Sequence, residues 1–326
     1  YGGLSGLAPT QLFNPTFGWE TNRKLELGLA LGFVDDHIRT EVSFFLNRSG
    51  DQLVGIPQPG TTGFTMLRSN LDAIVENRGW EVVFNSVNID TDNFSWSSGF
   101  NITIPKNELV SYPGLEGSTY ANQLVVGKSL NIQKLYVLDG VDTDSGVYTF
   151  RDFNGDGELS SLDDRGYIAS LDPRFYGGLN NDLRYGNWHL NFLFQFVSRD
   201  NRGYLSGIPG GMVNQPLVVT DRWEEAGDEA RFQQYSSGRN RDVSNAYLRF
   251  RDSDGNWEDA SYIRLKNISL EYTLSKKILK QLAATLYLRG QNLLTITGYE
   301  GLDPESPLPN ILPPLRQYNM GVKLTF

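Results

Sequence analysis

Apolar and polar residues alternate with a period of two through long stretches of this chain. From Trp188 to Phe196 the even positions are Trp188, Leu190, Phe192, Phe194 and Phe196, set against His189, Asn191, Leu193 and Gln195. From Phe94 to Ile104 the even positions are Phe94, Trp96, Ser98, Phe100, Ile102 and Ile104, against Ser95, Ser97, Gly99, Asn101 and Thr103. Leu25, Leu27, Leu29, Leu31 and Phe33 alternate with Glu26, Gly28, Ala30 and Gly32, and Tyr318, Met320, Val322, Leu324 and Phe326 with Asn319, Gly321, Lys323 and Thr325. Similar stretches lie near 36–48, 76–89, 174–185, 261–274 and 282–294. This is the period of a β-strand with two unlike faces. Within 261–274 the phase changes, because Ile263 and Leu265 are odd while Ile268, Leu270 and Tyr272 are even. One extra residue near Lys266 or Asn267, a β-bulge, accounts for the change.

The strands so predicted are longer than the roughly 5–6 residues usual in globular proteins. They match the roughly 9–11 residues that a tilted strand needs to cross a bilayer. The residues between them sort into short connections (Val34–Asp35, Asp90–Asp92, Gly186 and Ser275–Gln281) and long ones (49–75, 106–173, 199–260 and 295–315), in strict alternation. Outer-membrane barrels have short periplasmic turns and long extracellular loops. The reading is therefore all-β: an antiparallel transmembrane β-barrel wall of about nine long strands, with the long loops outside and the C-terminus in the periplasm. Bacterial barrels have even strand counts and cannot leave edges open in lipid. Nine strands thus predict that residues 1–326 are the C-terminal section of a larger barrel, with earlier strands missing on the N-terminal side. A soluble sandwich would bury the same aromatics in a core, but gives no reason for sorted loops.

Composition narrows the function classes. The formal charge of −9 and pI near 4.9 argue against a nucleic-acid partner. Cysteine is absent and the histidines are only His37 and His189, which argues against a thiolate or zinc site and against a Cys or His triad. No apolar run is long enough for a transmembrane helix, which leaves a barrel open. Asn-X-Ser/Thr sequons at Asn47, Asn93, Asn101 and Asn267 fall on predicted strands and are read as chance matches.

One stretch carries metal chemistry. Asp152, Asn154 and Asp156 stand at positions 1, 3 and 5 of a calcium-loop pattern, with Gly157 at the sharp turn. Glu158 would add its carbonyl, Ser160 a hydroxyl or a bridging water, and Asp163 the last carboxylate in place of the usual Glu. A structural calcium ion that stiffens a long loop is expected, and no organic cofactor. Carboxylates at Glu224, Glu225, Asp228, Glu229, Asp163 and Asp164 lack a partner framework, so the paired-carboxylate chemistry of a glycosidase is set aside and no enzyme is expected. Loop aromatics Tyr112, Tyr120, Tyr204, Trp223, Tyr235 and Trp257 could stack on a sugar or pack the loops on themselves. Trp80, Trp96 and Trp188 lie near strand ends, where an aromatic girdle belongs. Candidate lumen residues on the polar faces are Glu41, Asn101, Asn191, Gln195, Arg289 and Gln291.

A series of segments resembles the SusC/RagA class of TonB-linked outer-membrane transporters. In order they are Asn14-Pro15 with Trp19-Glu20, Thr62-Gly63-Phe64, Glu76-Asn77-Arg78-Gly79-Trp80-Glu81, the calcium-like loop, Pro173 with Tyr176-Gly177-Gly178-Leu179, Asp221-Arg222-Trp223 with Gly227-Asp228-Glu229, Tyr262 to Leu270, Arg289 to Leu293, and Asp303-Pro304-Glu305. The resemblance implies a 22-stranded barrel of which these are the last nine strands. It implies TonB-energised uptake of glycans or peptides, a SusD-like surface lipoprotein on the outer loops, and a terminal Phe326 read as the assembly signal. The plug and the TonB-contacting part would lie in the missing N-terminal section. The alternative is a calcium-stabilised extracellular β-domain that binds carbohydrate, such as an adhesin.

Overall fold

The computed structural model describes residues 10–205, 207–274, 283–306 and 311–325. The predicted turn at Ser275–Gln281 and the terminal Phe326 lie outside the described residues. Nine long strands make one sheet: β1 (Thr21–Phe33), β2 (Ile38–Gly50), β3 (Ile74–Asp90), β4 (Phe94–Ser111), β5 (Phe175–Tyr185), β6 (Trp188–Ser198), β7 (Tyr262–Leu274), β8 (Ala283–Thr297) and β9 (Gln317–Thr325). Their order in the sheet is their order in the chain. The sheet is open, with β1 and β9 as its edges among the described residues. From β4 to β9 every neighbouring pair is antiparallel. Each predicted strand exists, most of them a few residues longer than the alternation alone marks.

The chain divides into two compact units. One comprises Tyr1–Leu27, Phe44–Gly79 and Lys106–Leu130; the other comprises Gly28–Ser43, Trp80–Pro105 and Asn131–Phe326. In the first, Ala73, Val75 and Leu109 form a small core with Leu71, Tyr112, Leu115 and Leu124 packed against it. A hairpin of Gln52–Pro57 and Met66–Leu71 stands above it in the sequence between β2 and β3. Asn70 holds the entry segment there: its Oδ1 accepts from Gly18 N at 2.8 Å and its Nδ2 donates to Gly18 O at 3.0 Å.

In the second unit, the register across β4–β9 sorts the side chains into two faces. One face carries the row Phe94, Tyr185, Trp188, Tyr272, Leu286, Val322, and farther from the short turns the row Phe100, Leu179, Phe194, Leu265, Leu294. Large apolar side chains on this face stay open: Trp188 is 48% exposed, Leu288 54% and Met320 86%. So broad an apolar face is foreign to a water-soluble surface and fits contact with lipid. The Phe94–Tyr185 and Trp188–Tyr272 ring pairs, 6.4 and 4.7 Å between centroids, band its short-turn end. The bulge falls at the expected place. Phe194 pairs with Leu265 and Leu193 with Asn267, so that Lys266 is the extra residue. On its other side Asn292, in the left-handed region at φ 54°, takes up the register change.

The long loops are not featureless. Residues from 131–173 and 199–260 build a core of their own, with Tyr136, Tyr148, Phe150, Leu205, Val219, Phe232, Ala246, Tyr247 and Phe250 buried together. Tyr148 stacks on Phe250 at 4.3 Å and 7°. The 199–260 stretch, read from sequence as loop throughout, contains helix α1 (Arg241–Arg251). Asn240 caps it by accepting from Asp242 N and Val243 N. Val243, Ala246, Tyr247 and Phe250, at helical spacing, are its buried side. The small apolar face of so short a helix is outweighed, in a sequence scan, by the polar residues around it.

Candidate functional site

The polar face of the second unit is a graded set of rows. Nearest the short turns lie Ser95, Arg184, His189, Glu271, Tyr287 and Gly321; next come Ser97, Asp182, Asn191, Ser269, Arg289 and Asn319. Farther along are Asn180, Leu193, Asn267, Gln291 and Gln317, then Asn101, Gly178, Gln195, Arg264 and Thr295. Strand periodicity alone puts these residues on one side, because every second residue faces the same way. Five of the six candidate lumen residues therefore share this face: Asn101, Asn191, Gln195, Arg289 and Gln291. Asn101 and Gln195 sit in one row, with Gly178 between them, and Asn191 and Arg289 in another, with Ser269 between them. Glu41 lies on β2 and is exposed.

The charges in the two rows nearest the short turns are paired. His189 Nε2 lies 2.6 Å from Asp182 Oδ2, Asn191 Nδ2 donates to the same oxygen at 3.4 Å, and Arg184 Nε lies 3.3 Å from Asp182 Oδ1. Arg289 Nη2 donates to Glu271 Oε1 at 2.9 Å, and its guanidinium lies over the Tyr287 ring. Sequence reasoning named Asn191 and Arg289 but not Asp182, His189 or Glu271, which stand on the same polar face and were legible from the same alternation. Such a surface offers donors and acceptors to hydroxyl and amide groups in water.

The last long loop bends over this face. Arg264 donates through Nη2 to Asp303 Oδ2 and through Nη1 to Glu305 Oε2, both at 2.6 Å, and through Nε to Thr295 Oγ1 at 3.0 Å. Lys266 Nζ reaches Glu305 Oε2 at 3.0 Å. Arg264, Thr295, Asn292, Leu302, Pro313 and Arg316 are among the residues that line a cavity of about 500 Å³ beside this junction.

The calcium-type segment forms a tight loop. Asp152 accepts from Gly155 N at 2.7 Å and from Gly157 N at 2.8 Å, and these bonds, that from Gly157 foremost, hold its carboxyl below the usual carboxylate range. Gly155 and Gly157 both take positive φ, 73° and 81°. Asp156 Oδ1 accepts from Glu158 N, Asn154 Nδ2 donates to Asp156 Oδ2, and Ser160 Oγ donates to Asp163 Oδ2. Asp164, which was not assigned to the loop, is fully buried and ties its two ends by accepting from Phe153 N and Ser160 N. Among the described residues no three His, Cys, Asp or Glu side chains converge on one point. Loop aromatics mostly pack inward: Tyr112 lies 6.3 Å from Tyr120, Trp223 lies against Gly146 with Nε1 donating to Thr143 O, and Tyr235 donates to Val219 O.

No family model matches the chain. Its sequence is 29% identical to TonB-dependent receptor P3 of Formosa agariphila, over 99% of this chain and 36% of that protein. It is 24% identical to TonB-dependent receptor SusC of Bacteroides thetaiotaomicron, over 90% of this chain and 30% of the relative. The fold matches the solved structure of the RagAB peptide transporter with a TM-score of 0.78 at 22% identity, covering 98% of this chain and 37% of that one. The relatives bear the names of receptors and transporters, not of enzymes. The chain spans about a third of the length of the curated relatives it matches. This likeness runs through almost all of the sequence and goes with a two-faced antiparallel wall: the chain resembles the TonB-dependent receptors, SusC among them, and has the fold of the matching part of the RagAB transporter.

Proposed function

We propose that the chain forms part of the wall and outer loops of a transporter that takes up glycan or peptide nutrients across the outer membrane, driven by TonB. The observation that carries this reading is the sorting of side chains across β4–β9, with an exposed apolar face on one side and paired charges and amides on the other. Lipid takes the first face and the wet lumen the second. On this reading the chain is the C-terminal section of the barrel, the short turns are periplasmic, and the loops that carry α1 face outward. A SusD-like surface lipoprotein docks on those loops, and Asn101, Asn191, Gln195, Arg289 and Gln291 contact the passing nutrient. RagAB, the fold relative, is a peptide transporter.

Calcium belongs to the same proposal. Asp152, Asn154, Asp156, the Glu158 carbonyl, Ser160 and Asp163 would hold one ion by exchanging the side-chain contacts they now make with one another. The ion would supply structural stiffness alone.

A soluble carbohydrate-binding domain would leave Leu288 and Met320 in water, which favours the membrane reading. The test is deletion of the gene in its host, followed by growth on defined oligosaccharides and on peptides. Loss of growth on one class, restored by the wild-type gene and not by one lacking the loops, supports transport. Unimpaired growth on every substrate, with protein found in the soluble fraction, contradicts it.

A further inference from the structure

In the first unit, the ends of β2, β3 and β4 toward the long loops carry five linked charged side chains. Arg48 Nε donates to Glu76 Oε2 at 3.0 Å. Arg78 donates through Nη1 to Glu76 Oε1 at 2.8 Å and through Nη2 to Glu108 Oε2 at 3.2 Å. Lys106 Nζ lies 2.9 Å from Glu108 Oε2. The Glu76 side chain is only 3% exposed, while Arg48, Arg78 and Lys106 are 48%, 39% and 57% exposed. Three cations thus face two carboxylates in a chain whose net charge is −9. Arg48 Nη1 and Arg78 Nε have no partner among the described residues.

The side of the sheet is fixed by the neighbours. Val75 and Leu109 are buried against Tyr112, Leu115 and Leu124, and Asn77 and Asn107 bond each other while Asn107 Oδ1 accepts from Leu130 N. The 112–130 loop therefore covers the odd positions of β3 and β4. Alternation puts Glu76, Arg78, Lys106 and Glu108 on the opposite side, where Glu76 is buried while Arg78 and Lys106 stay exposed. On β2 the residues that share the side of Arg48 are Leu46 and Phe44. Basic side chains that follow directly on an apolar and aromatic band stand where a bilayer meets water, because a cation in hydrocarbon is costly and one at the interface is not.

We propose that Arg48, Arg78 and Lys106 bind the phosphate of a phosphorylated lipid in the leaflet on the long-loop side. The proposal rests on the membrane reading above. Glu76 fixes both guanidinium groups from within the wall, so that their remaining N–H donors are set in advance for an anion outside. Phe44 and Leu46 give the acyl chains of such a lipid a surface that free phosphate has no use for.

The test uses the full-length receptor, purified in detergent and stripped of lipid, and reads retained ligand by native mass spectrometry. The probes are lipopolysaccharide, its dephosphorylated form, phosphatidylglycerol and inorganic phosphate. Lys106→Gln leaves both pairs of Glu76 intact. Arg48→Gln with Glu76→Gln and Arg78→Gln removes the two guanidinium groups without stranding the buried carboxylate. The expected result is retention of lipopolysaccharide by the wild type, a loss of about fivefold in Lys106→Gln, a full loss in the triple variant, and no retention of the dephosphorylated lipid. Equal retention in all variants overturns the proposal, as does equal retention of dephosphorylated lipid, tighter binding of phosphatidylglycerol, or inorganic phosphate held as firmly as the lipid. A receptor that stays in solution without detergent contradicts the membrane reading itself, and shows it before any lipid is added.

Discussion

Arg264 and Asp303 meet side chain to side chain at 2.6 Å, and both are buried. They join two of the segments that carry the family resemblance, one on β7 and one in the last long loop. A buried carboxylate that loses its only close cation costs about 3–5 kcal/mol, more than the pair itself is worth. Arg264→Ala is therefore expected to release residues 298–306 from the sheet, while Glu305→Gln, at a half-exposed site, has a small effect. Limited proteolysis of the loop, compared with heat-modified gel mobility of the whole receptor, separates loop release from a failure of the wall. A loop equally protected in Arg264→Ala would show that the ion pair does not hold it.

The loop core stands on few residues. Phe250 is 3% exposed and stacks on Tyr148. Phe250→Ala should cost about 3–5 kcal/mol in the stability of that core. Asn240→Ala, which removes the cap of α1, should cost about 1 kcal/mol. Hydrogen exchange at α1 amides is the readout, with β5 and β6 amides unchanged in both variants.

The Asp152 loop should respond to acid. Its carboxyl is held below the usual range by the Gly157 and Gly155 amides, so the folded loop favours the ionised form. The stabilisation is present in full above the unfolded value near about 4 and is lost as the pH falls through the lowered folded value. Exchange at Gly155 and Gly157 should accelerate only at the acid end of that window. If calcium binds as proposed, adding it protects the same amides and Asp156→Ala abolishes the protection. Unchanged exchange with and without calcium would remove the ion from the account.

The strands were legible because alternation is a local signal. Each run such as Trp188–Phe196 states its own two faces, and the phase change at Lys266 gives the bulge without knowledge of its neighbours. What was not legible depends on residues far apart in the chain. Arg264 and Asp303 are separated by 39 residues, and Tyr148 stacks on a residue of the next long loop. Neither contact leaves a periodic trace. Asp164 was passed over for a related reason: it serves the loop by burial and by accepting two amides, not by occupying a ligand position in a pattern. Asp182 and Glu271 were missed although their face was known, since alternation gives the side of a residue and not which polar groups pair there.

The central claim is that one face of the sheet meets lipid and the other meets water. The chain has no cysteine, so single cysteines can be placed on it and spin-labelled. Leu288 and Arg289 are adjacent on β8 and point to opposite faces, as do Phe194 and Gln195 on β6. With the receptor in liposomes, labels at Leu288 and Phe194 should be relaxed by oxygen dissolved in the bilayer, and labels at Arg289 and Gln195 by a water-soluble nickel chelate. Equal access of the chelate to all four positions would contradict the account.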